Sequence, residues 1–365
     1  MSEWQTFCLK DLGKIVGGAT PPTNNPKNYG NKIAWITPKD LSTLQGRYIK
    51  KGSRSISRLG FKSCSCVLLP KHAILFSSRA PIGYVAIAKK RLCTNQGFKS
   101  IIPNKKIYFE FLYYLLKCHK DNISNIGGGT TFKEVSGATL GLFKVKIPPT
   151  YYEQQKIART LSVLDQKIEN NHKINELLHT LAYKIYEYYF KYKPKNAKLE
   201  QIIIENPKSS IMVKNAQKTQ DKYPFFTSGD NTLSYPKSII DGRNCFLNTG
   251  GNAGIKFYVG KASYSTDTWC ICANEFSDYL YLLLSSIKNH INQSFFQGTS
   301  LKHLQKNLLK KYPIYMPSAH EIKKFNQIMM PLLTLISINT RTSKKLEQIR
   351  DFLLPLLLKQ QVKPE

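Results

Sequence analysis

The chain repeats itself. Phe76-Ser-Ser-Arg-Ala-Pro-Ile-Gly-Tyr-Val85 runs on to Cys93-Thr-Asn-Gln-Gly-Phe98, and 171 residues later Leu247-Asn-Thr-Gly-Gly-Asn-Ala-Gly-Ile-Lys256 runs on to Tyr264-Ser-Thr-Asp-Thr-Trp269 without a gap. Further along, Gly129-Thr-Thr-Phe-Lys133 matches Gly298-Thr-Ser-Leu-Lys302, and the stretch from Pro148 to Glu153 matches that from Pro317 to Glu321. Solenoid units are roughly 20–50 residues long, so a repeat of this length is a duplicated domain. Two similar heads on one chain suggest a molecule that touches two related things a fixed distance apart.

Between and after the heads the composition changes. Residues 1–150 are rich in Gly, Pro, Ser and short β-branched runs, which predicts a compact, mainly β domain with a few helices. From Tyr152 to about Tyr192 there is no Pro or Gly and the apolar period becomes helical, so residues 151–193 are expected to form one long helix closed by Pro194. Residues 194–317 return to strands and turns, and residues 318–365 open a second long helix at Pro317-Ser318. Pro331 and Pro355 predict a kink or break within it.

The two helices share a register. Leu161, Leu164, Ile168, Asn171, Asn175 and Leu178 recur at heptad spacing in the first, and adding 168 gives Met329, Leu332, Ile336, Asn339, Ser343 and Leu346, with Leu353 continuing the second seam. Both read as coiled-coil seams with a polar centre at Asn171 and Asn339, a pattern that fixes register and partner choice. The alternative is two ordinary amphipathic helices, each packed on its own domain. Pairing of the helices with one another gives the expected fold class: α+β, two mainly-β heads separated by two long helices in an antiparallel coiled coil with pseudo-twofold symmetry. About 38 residues at about 1.5 Å each span roughly 57 Å. Heads at the two ends could then reach successive major grooves, about 34–36 Å apart, on one face of a duplex.

Charge points the same way. Lys and Arg number 54 against 23 Asp and Glu, a formal net charge of +31 over 365 residues, which suits a polyanion, nucleic acid first and an anionic membrane surface second. A generally Lys-rich composition is the bland explanation. The N-terminus lacks a secretory pattern, no apolar run is long enough to span a bilayer, and eight Cys are too few for a disulfide scaffold, so a cytoplasmic location with reduced thiols is expected. Cys64-Ser-Cys66 and Cys270-Ile-Cys272 lack the usual two-residue gap of zinc knuckles.

Trp35-Ile-Thr-Pro-Lys-Asp-Leu41, Ser77-Ser-Arg-Ala-Pro-Ile-Gly83, Thr94-Asn-Gln-Gly-Phe98 and Pro148-Pro-Thr-Tyr-Tyr-Glu-Gln-Gln-Lys-Ile-Ala158 resemble the specificity subunit of Type I restriction–modification systems. The resemblance covers nearly the whole chain. It implies two target-recognition domains, each reading one half of a bipartite sequence in double-stranded DNA, and helical regions that dock two modification (methyltransferase) subunits. Restriction/translocase subunits would complete the assembly, with S-adenosylmethionine, ATP and Mg carried by the partners and none by this chain. A basic RNA-binding or scaffold protein dimerising through its coiled coil, or the specificity subunit of a related Type II-like system, is the competing reading. The second head carries no clear copy of Trp35-Ile-Thr-Pro-Lys-Asp-Leu41.

Catalytic signatures are missing from the sequence. Gly254 to Lys261 has one residue too many for a phosphate-binding loop, and Ala262 follows the Lys. The only Asn-Pro pairs are Asn25-Pro and Asn206-Pro, each followed by Lys, so no methyltransferase Asn-Pro-Pro-aromatic motif exists. No Pro-Asp pair and no His-Glu-x-x-His occurs. The chain is expected to bind without catalysing, and without metal. Candidate DNA-contacting residues are Lys39, Arg47, Arg54, Arg58, Ser77, Ser78, Arg79, Asn95 and Gln96 in the first head. In the second they are Asn231, Arg243, Asn248, Asn252 and Lys256. Arg forks onto guanine, amides suit adenine, and hydroxyls and Lys serve phosphates. For Arg79, Asn95 and Gln96 a structural turn is the equal alternative.

Overall fold

The computed structural model describes residues 3–129, 133–216 and 222–362; Thr130, Thr131 and Phe132 of the Gly129–Lys133 match lie outside the described residues. The first head opens with β1 (Gln5–Cys8), α1 (Leu9–Leu12) and β2 (Gly13–Gly17). Then come β3 (Tyr29–Ile36), α2 (Pro38–Ser42), β4 (Tyr48–Ile49), β5 (Arg54–Ile56) and α3 (Arg58–Lys62). Strands β6 (Ile74–Phe76), β7 (Val85–Ala88), β8 (Cys93–Thr94) and β9 (Lys99–Pro103) follow. The head closes with α4 (Phe109–Cys118), α5 (Lys120–Asn125), α6 (Gly137–Leu142) and β10 (Lys144–Ile147).

Helix α7 (Tyr151–Tyr186) ends in a π-helical turn over Glu187–Lys191. The second head holds β11 (Ala197–Lys198), β12 (Ile204–Glu205), β13 (Tyr223–Phe226), β14 (Leu233–Tyr235), β15 (Arg243–Asn248) and β16 (Ile255–Val259). It continues with β17 (Ser263–Tyr264), β18 (Thr268–Cys272), α8 (Ser277–Ser286), α9 (Lys288–Ser294), β19 (Phe296–Gln297), β20 (His303–Leu304), α10 (Lys306–Lys310) and β21 (Pro313–Ile314). Helix α11 (Ala319–Leu358) is the last element among the described residues.

The duplication holds in both sheets, except that among the described residues β4 has no counterpart in the second head. The first head has a five-stranded sheet β2-β9-β6-β7-β4 and a three-stranded sheet β5-β3-β8; the second has β12-β18-β15-β16 and β14-β13-β17. Strand β3 runs parallel to β8 as β13 runs parallel to β17. So β13, with Phe225-Phe226-Thr227, stands where Trp35-Ile36-Thr37 stands, a correspondence hidden in the sequence. The gapless alignment gives way by one residue in the ladder. Ser77 faces Phe98, whereas Asn248 faces Thr268 rather than Trp269.

The larger sheet of each head is buried on both faces, and the two-residue period of a strand divides its side chains between two cores. Ile74, Phe76 and Ile87 point to a core shared with α4 and the long helices, while Leu75, Ala86 and Ala88 point to Ala34 and Ile36 of the smaller sheet. In the second head Cys245, Leu247 and Ile271 face the helices, and Phe246, Tyr258 and Cys270 face Phe226 and Tyr264. Each such fully buried aliphatic or Phe side chain contributes about 1.5–3 kcal/mol.

The chain forms two compact units, residues 1–170 with 345–365, and residues 171–344; both long helices contribute to each. In the first unit Ile157, Ala158 and Leu161 of α7 share a core with Leu354, Leu357 and Leu358 of α11, and Leu353 packs against its edge. Ile168 is buried too, and Leu164 and Leu346 are half-buried. In the second unit Ala182, Tyr186 and Phe190 meet Phe325, Met329, Leu333 and Ile336, with Leu178 and Leu332 at the margin. Asn171 donates to Ser343 Oγ at 3.2 Å, and Asn339 donates to Asn175 Oδ1 at 2.9 Å, so rising numbers on one helix meet falling numbers on the other: the pairing is antiparallel. Asn171 and Asn339 do not bond to each other. The 168-residue offset instead carries Asn171 to Asn339 and Asn175 to Ser343, exchanging one bond for the other.

Both helices start with the same device. Thr150 Oγ1 accepts the Glu153 N–H at 3.2 Å while donating to that carboxylate at 2.9 Å; Ser318 and Glu321 repeat the exchange, Ser318 N–H and Oγ each reaching Glu321 at 2.9 Å. These are capping boxes after a proline stop. The break expected at Pro331 and Pro355 is absent, and α11 is continuous. The carbonyls those prolines leave free belong to Gln327 and Asp351, both exposed, so water can satisfy them.

Candidate nucleic-acid interface

In the first head the end of β3 gathers several of the expected residues. Arg54 lies opposite Trp35 in the β3–β5 ladder, and its guanidinium sits 4.1 Å from the centre of the Tyr29 ring and 5.8 Å from that of Trp35. Stacking holds the charge in place while Arg54 stays exposed, the arrangement a phosphate or guanine contact needs. Past β3, Thr37 caps α2 through Asp40, whose carboxylate accepts the Thr37 N–H at 2.8 Å and the Ser53 N–H at 2.7 Å. Burial pushes the Asp40 carboxyl up, and the Ser53 and Thr37 donors together outweigh it and hold the group below its ordinary value. Lys39 projects from α2 and Arg58 from α3, both exposed.

The turn after β8 closes the group. Asn95 accepts the Gly97 N–H at 3.0 Å, and exposed Gln96 accepts from the Thr20 hydroxyl. Gly97 lies against Pro38, since a Cβ there would come within 2.9 Å of that ring. Lys39, Arg54, Arg58 and Gln96 thus cluster around the smaller sheet, with Asn95 serving the turn. Thr20 was not expected from the sequence; a lone Thr in a Gly-Pro loop carries no signal until the fold sets it beside Gln96.

Elsewhere the structure corrects the expectations. Arg47 is 3% exposed: its Nη1 lies 3.1 Å from Glu110 and its Nε 3.1 Å from Glu169, with Asp165 at 3.9 Å. Asp165 also takes the Tyr114 hydroxyl at 2.6 Å and Arg350 Nη1 at 2.7 Å. Arg47 therefore fastens the first head to α7. Gly46 makes room for it with φ +101°, where a Cβ would strike Glu169. Arg243 does the same in the second unit. It grips Asp278 with two donors at 2.6 and 2.7 Å, and reaches Thr334 at 2.9 Å and the Met330 carbonyl at 3.3 Å on α11. Burial pushes the Asp278 carboxyl up and Arg243 opposes it.

Ser77 and Ser78 are fully buried, their hydroxyls donated to the Pro81 and Gly97 carbonyls, so neither is open to DNA. Arg79 is half-buried and paired with Glu134 at 3.4 Å, beside Lys99 at 3.1 Å from the same carboxylate. In the second head Lys256 donates to the carbonyls of Thr227 (2.7 Å) and Gly229 and to Asn248 Oδ1 (3.3 Å), and buried Asn248 donates to the Asn252 carbonyl at 3.1 Å. These brace the loop after β13 rather than face a ligand. Asn231 on that loop and Asn252 remain exposed, with Thr266 after β17 in the place of the Asn95–Gln96 turn. All eight cysteines are free thiols, and the described residues hold no cluster fit for a metal. Among the described residues no helix is long and apolar enough to cross a membrane.

A duplicated two-sheet head, twice fastened by an arginine to one of a pair of antiparallel helices and presenting a basic, amide-bearing edge, defines a bipartite binding protein. The pattern of the Type I restriction modification DNA specificity domain matches residues 1–180 and 195–348, and the chain belongs to that family. It is 32% identical to the Type I restriction enzyme MjaIX specificity subunit of Methanocaldococcus jannaschii over 98% of this chain and 93% of that one. It is 30% identical to the HindI specificity subunit of Haemophilus influenzae over 46% of this chain and 37% of that one. The crystal structure of a Type I S subunit from M. genitalium superimposes with a TM-score of 0.65 at 18% identity, covering 98% of this chain and 96% of that one.

Proposed function

We propose that this chain is the non-catalytic sequence-reading subunit of a Type I restriction–modification assembly, each head reading one half of a bipartite duplex site. The observation that carries the reading is the exposed basic edge of the first head, where Arg54 is pre-oriented over Tyr29 beside Lys39, Arg58 and Gln96. The second head offers amides and hydroxyls at the matching loops, Asn231, Asn252 and Thr266, so the two heads would read different half-sites.

The helices supply the docking surface. Opposite its buried seam α7 carries Ile174, Leu177 and Leu181, and the π-helical turn after it adds Tyr188, with Leu177 63% and Tyr188 86% exposed. On α11, Ile328, Leu335 and Ile338 are exposed in the same way. Such stripes suit further helices from two methyltransferase subunits. S-adenosylmethionine would reside on those partners, and ATP and Mg on restriction/translocase subunits.

The test exchanges residues 1–150 for another head and reads the methylated sequence of a genome carrying the assembly. One half of the site should change and the other persist. A change in both halves, with the chimaera folded and assembled, would refute independent reading.

A further inference from the structure

In the first unit a cleft of about 560 Å³ opens between the β1–β10 strand pair and the end of α11, lined by Thr6, His119, Lys144, Lys146, Lys359 and Gln360 over a floor of Val145 and Leu358. The placement follows from the strand period. Lys144 and Lys146 alternate with buried Val145 and Ile147, so both ammonium groups leave β10 on one face, and Thr6 stands directly opposite Lys146 in the ladder. The chain beyond α11 brings Lys359 and Gln360 to the same opening, and His119 enters from the junction of α4 and α5.

The lining holds three lysines and no carboxylate, and among the described residues none of these lysines has an ion-pair partner. Like charges around one cavity repel unless an anion joins them. The volume lies within the ordinary range of small-ligand sites, about 300–1,000 Å³. The repeat supplies an internal control. At the matching place in the second unit, Pro313 and Tyr315 replace Lys144 and Lys146. The counterpart of Lys359 is Lys191, paired with Glu187, and Lys193 nearby pairs with Glu321 at 2.8 Å. The lysines at the end of α7 are thus each paired with a carboxylate, whereas the three around this cleft are not.

We propose that this cleft of the first unit is a binding site for a phosphate-bearing ligand, with Lys144, Lys146 and Lys359 as the anion-binding groups and the Thr6 hydroxyl and His119 as hydrogen-bonding groups. The site is separate from the edge around Arg54 and does not depend on the reading of DNA proposed for it. Burial and the neighbouring Lys359 hold the His119 imidazole below its ordinary value, so it is neutral at pH 7. An anion bound among the lysines would favour the imidazolium and draw its pKa up.

Calorimetric titration of the full chain with inorganic pyrophosphate, and separately with ATP, tests the site. One saturable site is expected. The exposed-residue variant Lys144→Gln/Lys146→Gln/Lys359→Gln should lose at least tenfold in affinity while melting like the parent. The charge-matched control Lys89→Gln/Lys90→Gln/Arg91→Gln should bind as the parent does, and the His119 ring resonance should titrate at higher pH with pyrophosphate present. Displacement of pyrophosphate by a short duplex of unrelated sequence would assign the phosphate to a nucleic-acid backbone; its retention would assign it to a free phosphorylated compound. Absence of a saturable site, or equal loss in both triple variants, overturns the proposal.

Discussion

Arginine plays two parts in the first head, and burial decides which. Arg54 and Arg58 are exposed, while Arg47 is 3% exposed and ringed by Glu110, Asp165 and Glu169. Truncating one partner of a buried ion pair leaves charges uncompensated at about 3–5 kcal/mol, whereas an exposed charge contributes well under about 1 kcal/mol. Arg47→Ala should therefore lower the unfolding midpoint by on the order of 10 °C, and Lys39→Ala by almost nothing. Matching melting curves for the two variants would contradict the anchoring role. Sequence cannot separate these arginines, because Arg47 and Arg54 lie in the same loop-like, basic stretch. What distinguishes them is the company of Glu110 and Glu169, residues brought there by the tertiary fold.

At the level of elements, the helices were the most legible part of the chain. A long stretch free of Pro and Gly, a heptad seam and a Ser/Thr-x-x-Glu start each act locally, so α7 and α11 follow from neighbours a few residues apart. Pairing partners were less legible. The pattern aligned Asn171 with Asn339, but in an antiparallel pair equivalent residues do not face one another, and Asn171 meets Ser343 instead. The smaller sheet of the second head was hidden because β13 and β14 are short and share no motif with β3 and β5. The cap on α11 also gives a pH signature. The Lys193 ammonium, the Ser318 N–H and the Tyr315 hydroxyl hold the Glu321 carboxyl down to about 2, below its usual 4.5. A depressed folded-state value stabilises above the unfolded value and is lost as pH falls. Parent and Glu321→Gln melting temperatures should thus differ at neutral pH and converge between about 4.5 and 2. A gap that stays constant across that window would show that the carboxylate is not what holds the cap.

Over the whole molecule a net charge of +31 ensures attraction to any duplex, and sequence preference has to be built on top of it. Each phosphate contact contributes about 0.9 to the slope of log affinity against log salt. Lys39→Gln/Arg54→Gln/Arg58→Gln should reduce that slope by up to about 3 if all three meet phosphates, and by less where one reads a base. An unchanged slope in filter-binding or fluorescence titrations would move the DNA to another face. The arginine anchors bear on how such a protein can diversify. Because Gly46, Arg47, Glu110 and Asp165 secure the head from beneath, the edge that carries Lys39, Arg54 and Gln96 is free to vary without loosening the attachment. Among relatives with different targets, substitutions should turn over fastest on that edge and slowest at the anchor. A new specificity then becomes an exchange of upper surface on an inherited mount.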